Sequence, residues 1–272
     1  MAMITLLDSI ITAVDNGKFA LGIFLDFSKA FDTVNHSILL SKLEHYGIRG
    51  VALNWITSYL TERKQFCTFN KSKSNTELIT CGIPQGSILG PLLFLAYIND
   101  LGDIFTKLMR VLFADDTNLA ISGNSISEIE STTNNELPIL LDWLYANRLS
   151  LNIKKTQVML FGGKNNNHSD INILINGEKI NVVTESKFLG VTLDSKLNWK
   201  THIQLTAKKV AKSIGILIRA RQFLDKKTMK QLYYTFVYPH LIYCITIWGK
   251  ATAQNIWPLL KLQKLAVRII TN

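Results

Sequence analysis

The hydrophobic and polar positions in the first half of the chain alternate between continuous apolar runs and helical spacings. The run from Phe19 to Leu25 contains no polar residue and ends at Asp26, which is typical of a strand buried on both faces. Beyond it, the pattern predicts two helices over 35–46 and 51–60 and a hairpin of the strands 65–69 and 77–81. An apolar helix is predicted to follow over 88–101. A carboxylate therefore follows directly on a buried strand.

A second hairpin is predicted around two adjacent carboxylates. The apolar runs 111–113 and 119–121 flank a turn that holds Asp115 and Asp116. Helical spacing follows over 126–147, where an internal proline is expected to kink or split the helix. Short strands at 157–161, 171–175 and 187–193, with a hairpin tip at 164–167, are predicted to complete this mixed body of helices and strands.

The pattern of the C-terminal third is wholly helical. One apolar stripe recurs at helical spacing and consists of Ile203, Ala207, Val210, Ile214 and Leu217. The lysines that lie largely off this stripe are Lys208, Lys209 and Lys212. The change of pattern predicts a first domain over residues 1–194 and a helical domain over 195–272.

The distribution of charge supports this division. The 272-residue chain carries a net charge of +10, with 47% hydrophobic and 18% charged residues, which excludes a disordered chain. Residues 195–272 hold 14 basic and one acidic side chain, whereas residues 1–194 hold 16 and 19. A basic segment of this kind suits a polyanion such as nucleic acid, or an anionic membrane surface, and a solvated basic face explains the charge equally well.

Cysteine usage and the longest apolar runs limit the setting of the protein. Cys67, Cys81 and Cys244 form no CxxC pair and have no histidine at ligand spacing, which argues against a zinc site or a disulfide framework. The N-terminal apolar stretch lacks a basic n-region, and the longest uncharged run, 88–98, is shorter than the roughly 18 residues that span a bilayer. We expect an intracellular protein of the nucleus or cytoplasm, neither secreted nor inserted in a membrane.

Three carboxylates at strand ends suggest a metal-dependent reaction. Asp26, Asp115 and Asp116 would repel one another unless a cation lay among them. Mg²⁺ prefers such oxygen ligands, and a pair of ions can activate a hydroxyl and stabilise leaving pyrophosphate. An isolated Asp-Asp pair is more commonly a hydrophilic turn, and Asp26 alone could cap a helix.

Five short motifs, taken together, identify a family resemblance. Leu25-Asp26-Phe27-Ser28-Lys29-Ala30-Phe31-Asp32 resembles motif A of reverse transcriptases from non-LTR (LINE-type, jockey-like) retrotransposons. Pro84-Gln85-Gly86-Ser87, with the Leu89-Gly90-Pro91-Leu92-Leu93-Phe94 that follows, resembles motif B, and Phe113-Ala114-Asp115-Asp116 resembles motif C. Leu151-Asn152 with Lys155-Thr156 resembles motif D, and Phe188-Leu189-Gly190 resembles motif E. Five motifs in the family's order are far more specific than any one alone.

The resemblance implies roles for residues around a polymerase centre. Asp26, Asp115 and Asp116 would bind Mg²⁺ or Mn²⁺, together with the backbone carbonyl of Phe27. Phe31 would lie beneath the incoming sugar and exclude a 2′-hydroxyl, although a core residue would look the same in the sequence.

It also implies residues that hold nucleotide and primer. Gln85 and Gly86 would touch the nucleotide and template, although the sequence alone shows only a Pro-Gly loop there. Lys155 would be the general acid for pyrophosphate, although the sequence alone shows only a solvated lysine. Phe188, Leu189 and Gly190 would form the primer grip, and Lys208, Lys209 and Lys212 would contact the nucleic-acid backbone. The aromatic residues between the C-terminal lysines are expected to be mainly core: Trp199, Tyr233, Tyr234, Tyr238, Tyr243, Trp248 and Trp257.

The resemblance implies an α+β right-hand polymerase palm: an antiparallel sheet with helices on one face, a partial fingers insertion at about 33–83 and a basic helical thumb from 195. The function it implies is an RNA-directed DNA polymerase whose partners are an RNA template, a DNA primer and deoxynucleoside triphosphates. Family members place a basic fingers segment upstream of motif A, whereas only Lys18 is basic before Asp26. We therefore expect a partial open reading frame of palm and thumb, and the alternative is an inactive remnant that only binds nucleic acid.

Overall fold

The computed structural model describes residues 2–163 and 171–271, so the hairpin tip predicted at 164–167 lies outside the described residues. The chain divides into a first unit, Met1–Val183, and a second unit, Thr184–Asn272. The boundary predicted at residue 194 therefore falls inside the second unit. The difference arises because the two strands before residue 195 pack with the helices that follow them.

The first unit contains five helices and eleven strands among the residues described. Its helices are α1 (Ala2–Asp15), α2 (His36–His45), α3 (Gly50–Leu60), α4 (Leu89–Ile98) and α5 (Ile126–Ala146), with short 3₁₀ turns at Ala30–Asp32 and Asn99–Asp103. Its strands are β1 (Phe19–Leu25), β2 (Lys64–Gln65), β3 (Thr68–Phe69), β4 (Ser72–Lys73), β5 (Glu77–Leu78), β6 (Met109–Phe113), β7 (Asp116–Gly123), β8 (Gln157–Phe161), β9 (Leu174–Ile175), β10 (Glu178–Lys179) and β11 (Asn181–Val182).

The main sheet has the order β11-β8-β1-β7-β6 and is antiparallel except for the β11–β8 pair. Its central strand, β1, is apolar because both faces are covered, as the sequence predicts. Leu21 and Ile23 contribute to the large core formed with α2 to α5 on one face of the sheet. The buried residues of α1, which packs on β1, β6 and β7, do not belong to that core, so α1 covers the opposite face. Helices therefore lie on both faces of the sheet, and not on one face alone as predicted, because β1 is apolar on both sides.

Local side-chain chemistry fixes where two of these helices begin. The Asn35 side chain accepts a hydrogen bond from the Ile38 amide at the start of α2. Ser125 does the same for the Glu128 amide at the start of α5. α5 then continues without interruption past Pro138, so the predicted split does not occur, and burial of Leu137 on the sheet side holds its two halves together.

Over its described residues, 184–271, the second unit contains a hairpin and five helices. Its elements are β12 (Glu185–Phe188), β13 (Val191–Asp194), α6 (Lys200–Ala220), α7 (Lys226–Phe236), α8 (Tyr238–Ile242), α9 (Ile245–Trp248) and α10 (Ala253–Thr271). The prediction of a single strand over 187–193 is wrong, because the chain turns at Leu189 and Gly190, which both have positive φ. α6 packs mainly on α10, and its predicted stripe is buried at Ile203, Val210, Ile214 and Leu217.

Candidate active site

Two strand ends bring the predicted carboxylates to one end of the main sheet. Leu25 of β1 pairs with Thr117 of β7. Asp26 directly follows Leu25 and Asp116 directly precedes Thr117, so the two carboxylates lie at the same end of these neighbouring strands. Phe113 pairs with Asp116, which leaves Ala114 and Asp115 as the turn between β6 and β7. Ala114 has a φ of 53°, as the first residue of such a tight turn requires.

The electrostatics of this sheet end follow from the shared negative charge. Asp116 is exposed, yet partial desolvation raises the pKa of its carboxyl above the ordinary value, and the nearby charges of Asp115 and Asp26 raise it further. The three carboxylates are therefore within electrostatic reach of one another. Among the residues that the structure describes, no three Asp, Glu, His or Cys side chains lie close enough together to bind one metal ion as they stand. The donor set, carboxylate and carbonyl oxygens, fits Mg²⁺ or Mn²⁺.

The segment after α5 is bonded directly to the end of β1. The Asn152 amide donates to the Asp26 carbonyl at 2.8 Å, and the Ser28 amide donates to the Ser150 carbonyl at 2.8 Å. These two bonds flank the bridge between Phe27 and Leu151. In an antiparallel bridge of this kind the central residue directs its own carbonyl away from the partner strand. The Phe27 carbonyl is thus directed to the side of β1 on which β7 begins.

Lys155 lies on the same segment. Its amide donates to Asn152, and its exposed side chain is next to Thr156. Thr156 accepts a hydrogen bond from the Asp26 amide through its Oγ1 at 3.4 Å. Lys155 therefore directly precedes Thr156, the residue that contacts Asp26.

Phe31 is supported by a second aromatic ring. It lies in the 3₁₀ turn after β1 and stacks on Phe94 of α4, with ring centroids 4.4 Å apart and planes 26° from parallel. This packing fixes the plane of the Phe31 ring, which remains only partly buried. A rigid ring with one face open can act as a steric gate.

Backbone hydrogen bonds join the loop before α4 to the 3₁₀ turn. The Ile83 amide donates to the Phe31 carbonyl and the Gly82 amide to the Val34 carbonyl, both at 2.8 Å. Gly82 has a φ of 87°, and a Cβ at this position would lie 2.7 Å from the Asp32 carbonyl oxygen, so only glycine fits. The loop that carries Gln85 is thereby fixed against the turn that carries Phe31.

Gln85 and Gly86 lie at the exposed end of this loop. Gln85 donates through Nε2 to Asp32 Oδ1 at 2.9 Å. Gly86 has a φ of 83° and open space where a Cβ would project. The loop borders an open cleft of about 630 Å³, whose polar lining includes Asp32, Arg63, Lys64, Gln65 and Gln85. The two cations and two amides of this lining suit a phosphate-containing ligand, although Asp32 adds one negative charge.

The predicted primer grip forms the turn between β12 and β13 in the second unit. Phe188 is buried, while Leu189 accepts a hydrogen bond through its carbonyl from the Tyr243 hydroxyl at 2.6 Å. A Cβ on Gly190, whose φ is 80°, would approach the Tyr243 ring to 3.2 Å. Tyr243 therefore supports this turn.

The aromatic residues of the second unit are not mainly core. Trp199, Tyr233 and Trp248 are buried as predicted. The prediction is wrong for Tyr234, Tyr238, Tyr243 and Trp257, which are all more than a third exposed. The second unit spans only residues 184–272, and the core of so small a unit cannot bury all seven of these aromatic side chains. The lysines predicted to contact nucleic acid, Lys208, Lys209 and Lys212, are exposed on α6.

Some residues that support the candidate site residues have no site role in the sequence analysis: Asp32, Phe94 and Thr156 in the first unit, and Tyr243 in the second. Asp32, Phe94 and Thr156 lie inside the quoted motifs, so the sequence does carry a signal for them. Tyr243 lies in an apolar segment outside the motifs and carries no local signal. Among the described residues, no helix is both long enough and apolar enough to cross a membrane.

An antiparallel sheet with three carboxylates at one end, beside a hydrogen-bonded loop and a stacked aromatic ring, is consistent with a right-hand polymerase palm. Residues 4–193 match the family model described as "Reverse transcriptase (RNA-dependent DNA polymerase)". The chain belongs to that reverse transcriptase family.

The curated relatives come from insect mobile elements. The RNA-directed DNA polymerase from mobile element jockey of Drosophila melanogaster is 30% identical over 95% of this chain and 29% of its own length. The probable RNA-directed DNA polymerase from transposon BS of the same species is 28% identical over 97% of this chain and 30% of its own length. The chain thus spans about a third of the length of these relatives.

A solved structure supports the fold. The telomerase of Candida albicans, in complex with the TWJ fragment of telomeric RNA, aligns with 99% of this chain and 48% of its own chain, at 14% identity and a TM-score of 0.50. At this identity the likeness concerns the fold, which agrees with the palm predicted from the sequence.

Proposed function

We propose that this chain is the polymerase core of a non-LTR retrotransposon reverse transcriptase, which copies an RNA template by adding deoxynucleotides to a primer 3′ end. The observation that carries the proposal is that Asp26, Asp115 and Asp116 lie together at one end of the main sheet, where β1 ends and β6 and β7 are joined. A cluster of like charges is costly unless it serves to bind a cation.

The metal ligands in this proposal are the side chains of Asp26, Asp115 and Asp116 and the carbonyl of Phe27. When bound, a pair of Mg²⁺ or Mn²⁺ ions supplies activation of the primer hydroxyl and stabilisation of the leaving pyrophosphate. The chain's own contribution is to hold the four oxygens. β1 and β7 are tied by their register, and the bonds from Asn152 and to Thr156 fix the backbone of Asp26.

The incoming nucleotide would lie between the motif A turn and the loop of Gln85. Phe31, supported by Phe94, would lie beneath the sugar and exclude a 2′-hydroxyl. Gln85 would contact the nucleotide, and Gly86 would allow the close approach of a template base because nothing lies where its Cβ would be. Lys155 would donate a proton to the pyrophosphate, from a turn bonded to the Asp26 segment.

The second unit would hold the primer–template duplex. It carries 15 basic and three acidic side chains, and Lys208, Lys209 and Lys212 would meet phosphates along α6. Phe188, Leu189 and Gly190 would form the primer grip, with their turn supported by Tyr243. The partners in this proposal are an RNA template, a DNA primer and deoxynucleoside triphosphates, inside the cell in the nucleus or cytoplasm.

The same charge favours a second candidate, a chain that binds nucleic acid without polymerising. Primer extension on an RNA template with Mg²⁺ separates the two. We expect extension by the parent chain and a loss of about 10²–10³-fold or more for Asp115→Asn, which exchanges a ligand carboxylate for a neutral amide of similar size. The matched control is Asp103→Asn, because Asp103 is exposed and has only a 3.9 Å contact with Arg110.

Extension that persists in Asp115→Asn would refute the metal assignment. Tight duplex binding by a parent chain that extends no primer with Mg²⁺ or Mn²⁺ would favour the binding-only candidate.

A further inference from the structure

The helix α3 and the hairpin that follows it form an exposed surface with no assigned part in the polymerase mechanism. Every residue from 61 to 78 is exposed, so the strands β2 to β5 cover no core. A two-stranded hairpin without a core is at best marginally stable in water, and apolar side chains exposed on it indicate a binding surface. We term six of these side chains the α3–hairpin surface: Trp55, Arg63, Phe66, Phe69, Lys71 and Lys73.

The rings of the α3–hairpin surface are interleaved with cations. Trp55 stacks on Tyr59, with ring centroids 6.2 Å apart and planes 17° from parallel, and the Arg63 guanidinium lies 5.2 Å from the Tyr59 centroid. Lys73 Nζ lies 3.6 Å from the centroid of the Phe66 ring. Because these contacts already restrict the rings, a ligand that stacks on them costs little additional side-chain entropy.

The rings nevertheless remain open to solvent. Trp55 is 58% exposed and Phe69 is 78% exposed. Arg63 also lines the cleft described above, whereas Trp55, Phe66 and Phe69 do not belong to its lining. The aromatic part of the surface therefore lies outside the cleft.

Charge distinguishes this surface from the rest of the first unit. Residues 51–73 hold four basic side chains and one acidic side chain, whereas the first unit as a whole holds 15 and 17. The four basic side chains are all exposed: Arg63, Lys64, Lys71 and Lys73. Cations beside open rings are typical of surfaces that bind single-stranded nucleic acid, because the cations meet phosphates and the rings stack on bases.

The same features oppose a second protein chain as the occupant. Another copy of this surface would bring the same positive charge, and like charges repel. Each of the strands β2 to β5 pairs with one neighbour and leaves its other edge free. Lys64 and Lys73 lie on two of these strands, and lysines on edge strands disfavour pairing with a further strand.

We propose that the α3–hairpin surface is a binding site for single-stranded RNA, whose bases stack on Trp55 and Phe69. The phosphates of the bound strand meet Arg63, Lys71 and Lys73. This inference goes beyond the proposed function, because the strand is held there whether or not it is copied. Stacking tolerates any base, so the site has no strong sequence preference.

The test measures RNA binding without catalysis. A labelled oligouridylate of about 12 nucleotides, a length within the usual range for such sites, is titrated with the chain in EDTA at several salt concentrations, and fluorescence anisotropy gives the Kd. The variants compared with the parent are Trp55→Ala, Phe69→Ala, Phe69→Trp and the control Tyr145→Ala. Tyr145 is a matched control because it is 88% exposed on α5, outside this surface.

Each variant is also made in a second background, so that binding by α6 does not mask a loss at the α3–hairpin surface. In that background three exposed lysines of the second unit are replaced by Gln: Lys208, Lys209 and Lys212. A blunt RNA–DNA duplex, whose internal bases are already stacked on one another, is titrated in parallel.

We expect Trp55→Ala and Phe69→Ala each to weaken oligouridylate binding by about five- to 150-fold, which corresponds to one base–ring stack. The loss should be the same at every salt concentration, because no charge is removed. Phe69→Trp keeps a ring and should bind like the parent, as should Tyr145→Ala. Lys71→Gln combined with Lys73→Gln should instead reduce the slope of log K against log salt by about 1.4, at about 0.7 for each phosphate contact.

Unchanged oligouridylate affinity in both alanine variants, in both backgrounds, would overturn the inference. An equal loss for the blunt duplex, or no recovery in Phe69→Trp, would overturn it as well, because neither fits stacking on unpaired bases. Phe69→Ala keeps the test decisive if Trp55→Ala fails to fold, since Phe69 packs on no core.

Two further results concern other occupants and the proposed function. Self-association of the parent that Phe69→Ala abolishes, with RNA affinity unchanged, would assign the surface to a second copy and overturn the inference. Primer extension is measured separately. A parent that binds oligouridylate through Phe69 but extends no primer would refute polymerisation and support this site, whereas extension by a parent whose RNA binding ignores Phe69 would do the reverse.

Discussion

The two units of the chain present chemistry in different ways. In the first unit, the candidate residues lie on segments joined by backbone bonds between distant positions, such as Asn152 to Asp26 and Ile83 to Phe31. In the second unit, the candidate lysines are exposed on one helix, and the unit holds 15 basic and only three acidic side chains. The first unit has 15 basic and 17 acidic side chains. Function in the first unit should thus depend on exact position, and in the second on summed charge.

The largest stability effect should come from Gly82→Ala, which tests the positional side of this comparison. Alanine in the left-handed region costs about 1–2 kcal/mol, and the approach to the Asp32 carbonyl adds about 1–3 kcal/mol of overpacking. Gly86→Ala is the matched control, because it has a similar φ of 83° and open space. Denaturant unfolding should show the larger loss for Gly82→Ala, and equal losses would mean that the close approach carries no constraint.

The next effect tests summed charge in the second unit. Replacing Lys208, Lys209 and Lys212 by Gln should reduce the slope of log K against log salt for a primer–template duplex by up to about 2.7, at about 0.9 for each phosphate contact. The apolar stripe of α6 is untouched, so the fold should hold.

The control for this measurement removes three exposed charges from the first unit, at Lys18, Lys107 and Lys179. It should change the slope much less. If the two triple variants gave the same slope, the lysines of α6 would be only a solvated face.

A smaller effect is expected at the sugar gate. Phe31→Val should let ribonucleotides compete better with deoxynucleotides by roughly tenfold, because a smaller side chain opens space beneath the sugar. Single-turnover insertion of each nucleotide measures the ratio. Phe94→Leu, which removes the supporting ring without touching the sugar, should shift the same ratio less. An unchanged ratio in Phe31→Val would dismiss Phe31 as the gate.

The smallest effect concerns the buried His202 of α6. Burial lowers the pKa of its ring, Lys209 lowers it further, and its Nδ1 accepts a hydrogen bond from the Thr192 amide. The folded state resists protonation of His202, so its full contribution to the free energy of unfolding is present above the unfolded-state pKa of about 6.5. Below that pH the contribution is lost, by at most about 1.4 kcal/mol per pH unit. The free energy of unfolding of His202→Gln should depend less on pH between 6.5 and 5, and an unchanged dependence would rule out His202 as its source.

Local patterns predict the main elements of both units, because buried strands and helices each impose a period on the sequence. β1 and the carboxylate hairpin are examples in the first unit, and the stripe of α6 is one in the second. The sequence analysis predicts no helix at the position of α1, although Leu6, Leu7 and Ile10 have helical spacing, because an apolar N-terminal stretch is also typical of a targeting signal. The motifs predict that Asp26, Asp115 and Asp116 act together, and the pairing of β1, β6 and β7 brings them to one end of the sheet.

Contacts between distant segments could not be predicted from one sequence. Asp26 and Thr156 are 130 positions apart, and no periodicity relates them. The bond from Gln85 to Asp32 and the support of Leu189 by Tyr243 depend equally on how separate segments pack. The sequence predicts one strand over 187–193 in place of the turn at Leu189, because a Leu-Gly pair inside an apolar run resembles a continuous strand.

The most direct test of the central claim is Mn²⁺ binding to the carboxylates of the first unit, followed by electron paramagnetic resonance. The parent and Asp103→Asn should bind Mn²⁺ equally. Asp26→Asn and Asp115→Asn should each bind it more weakly, by at least the roughly 10- to 100-fold that follows loss of an outer-shell partner, because each removes a direct ligand. Equal Mn²⁺ affinity in all four chains would contradict the claim that these strand ends form a metal-dependent polymerase centre.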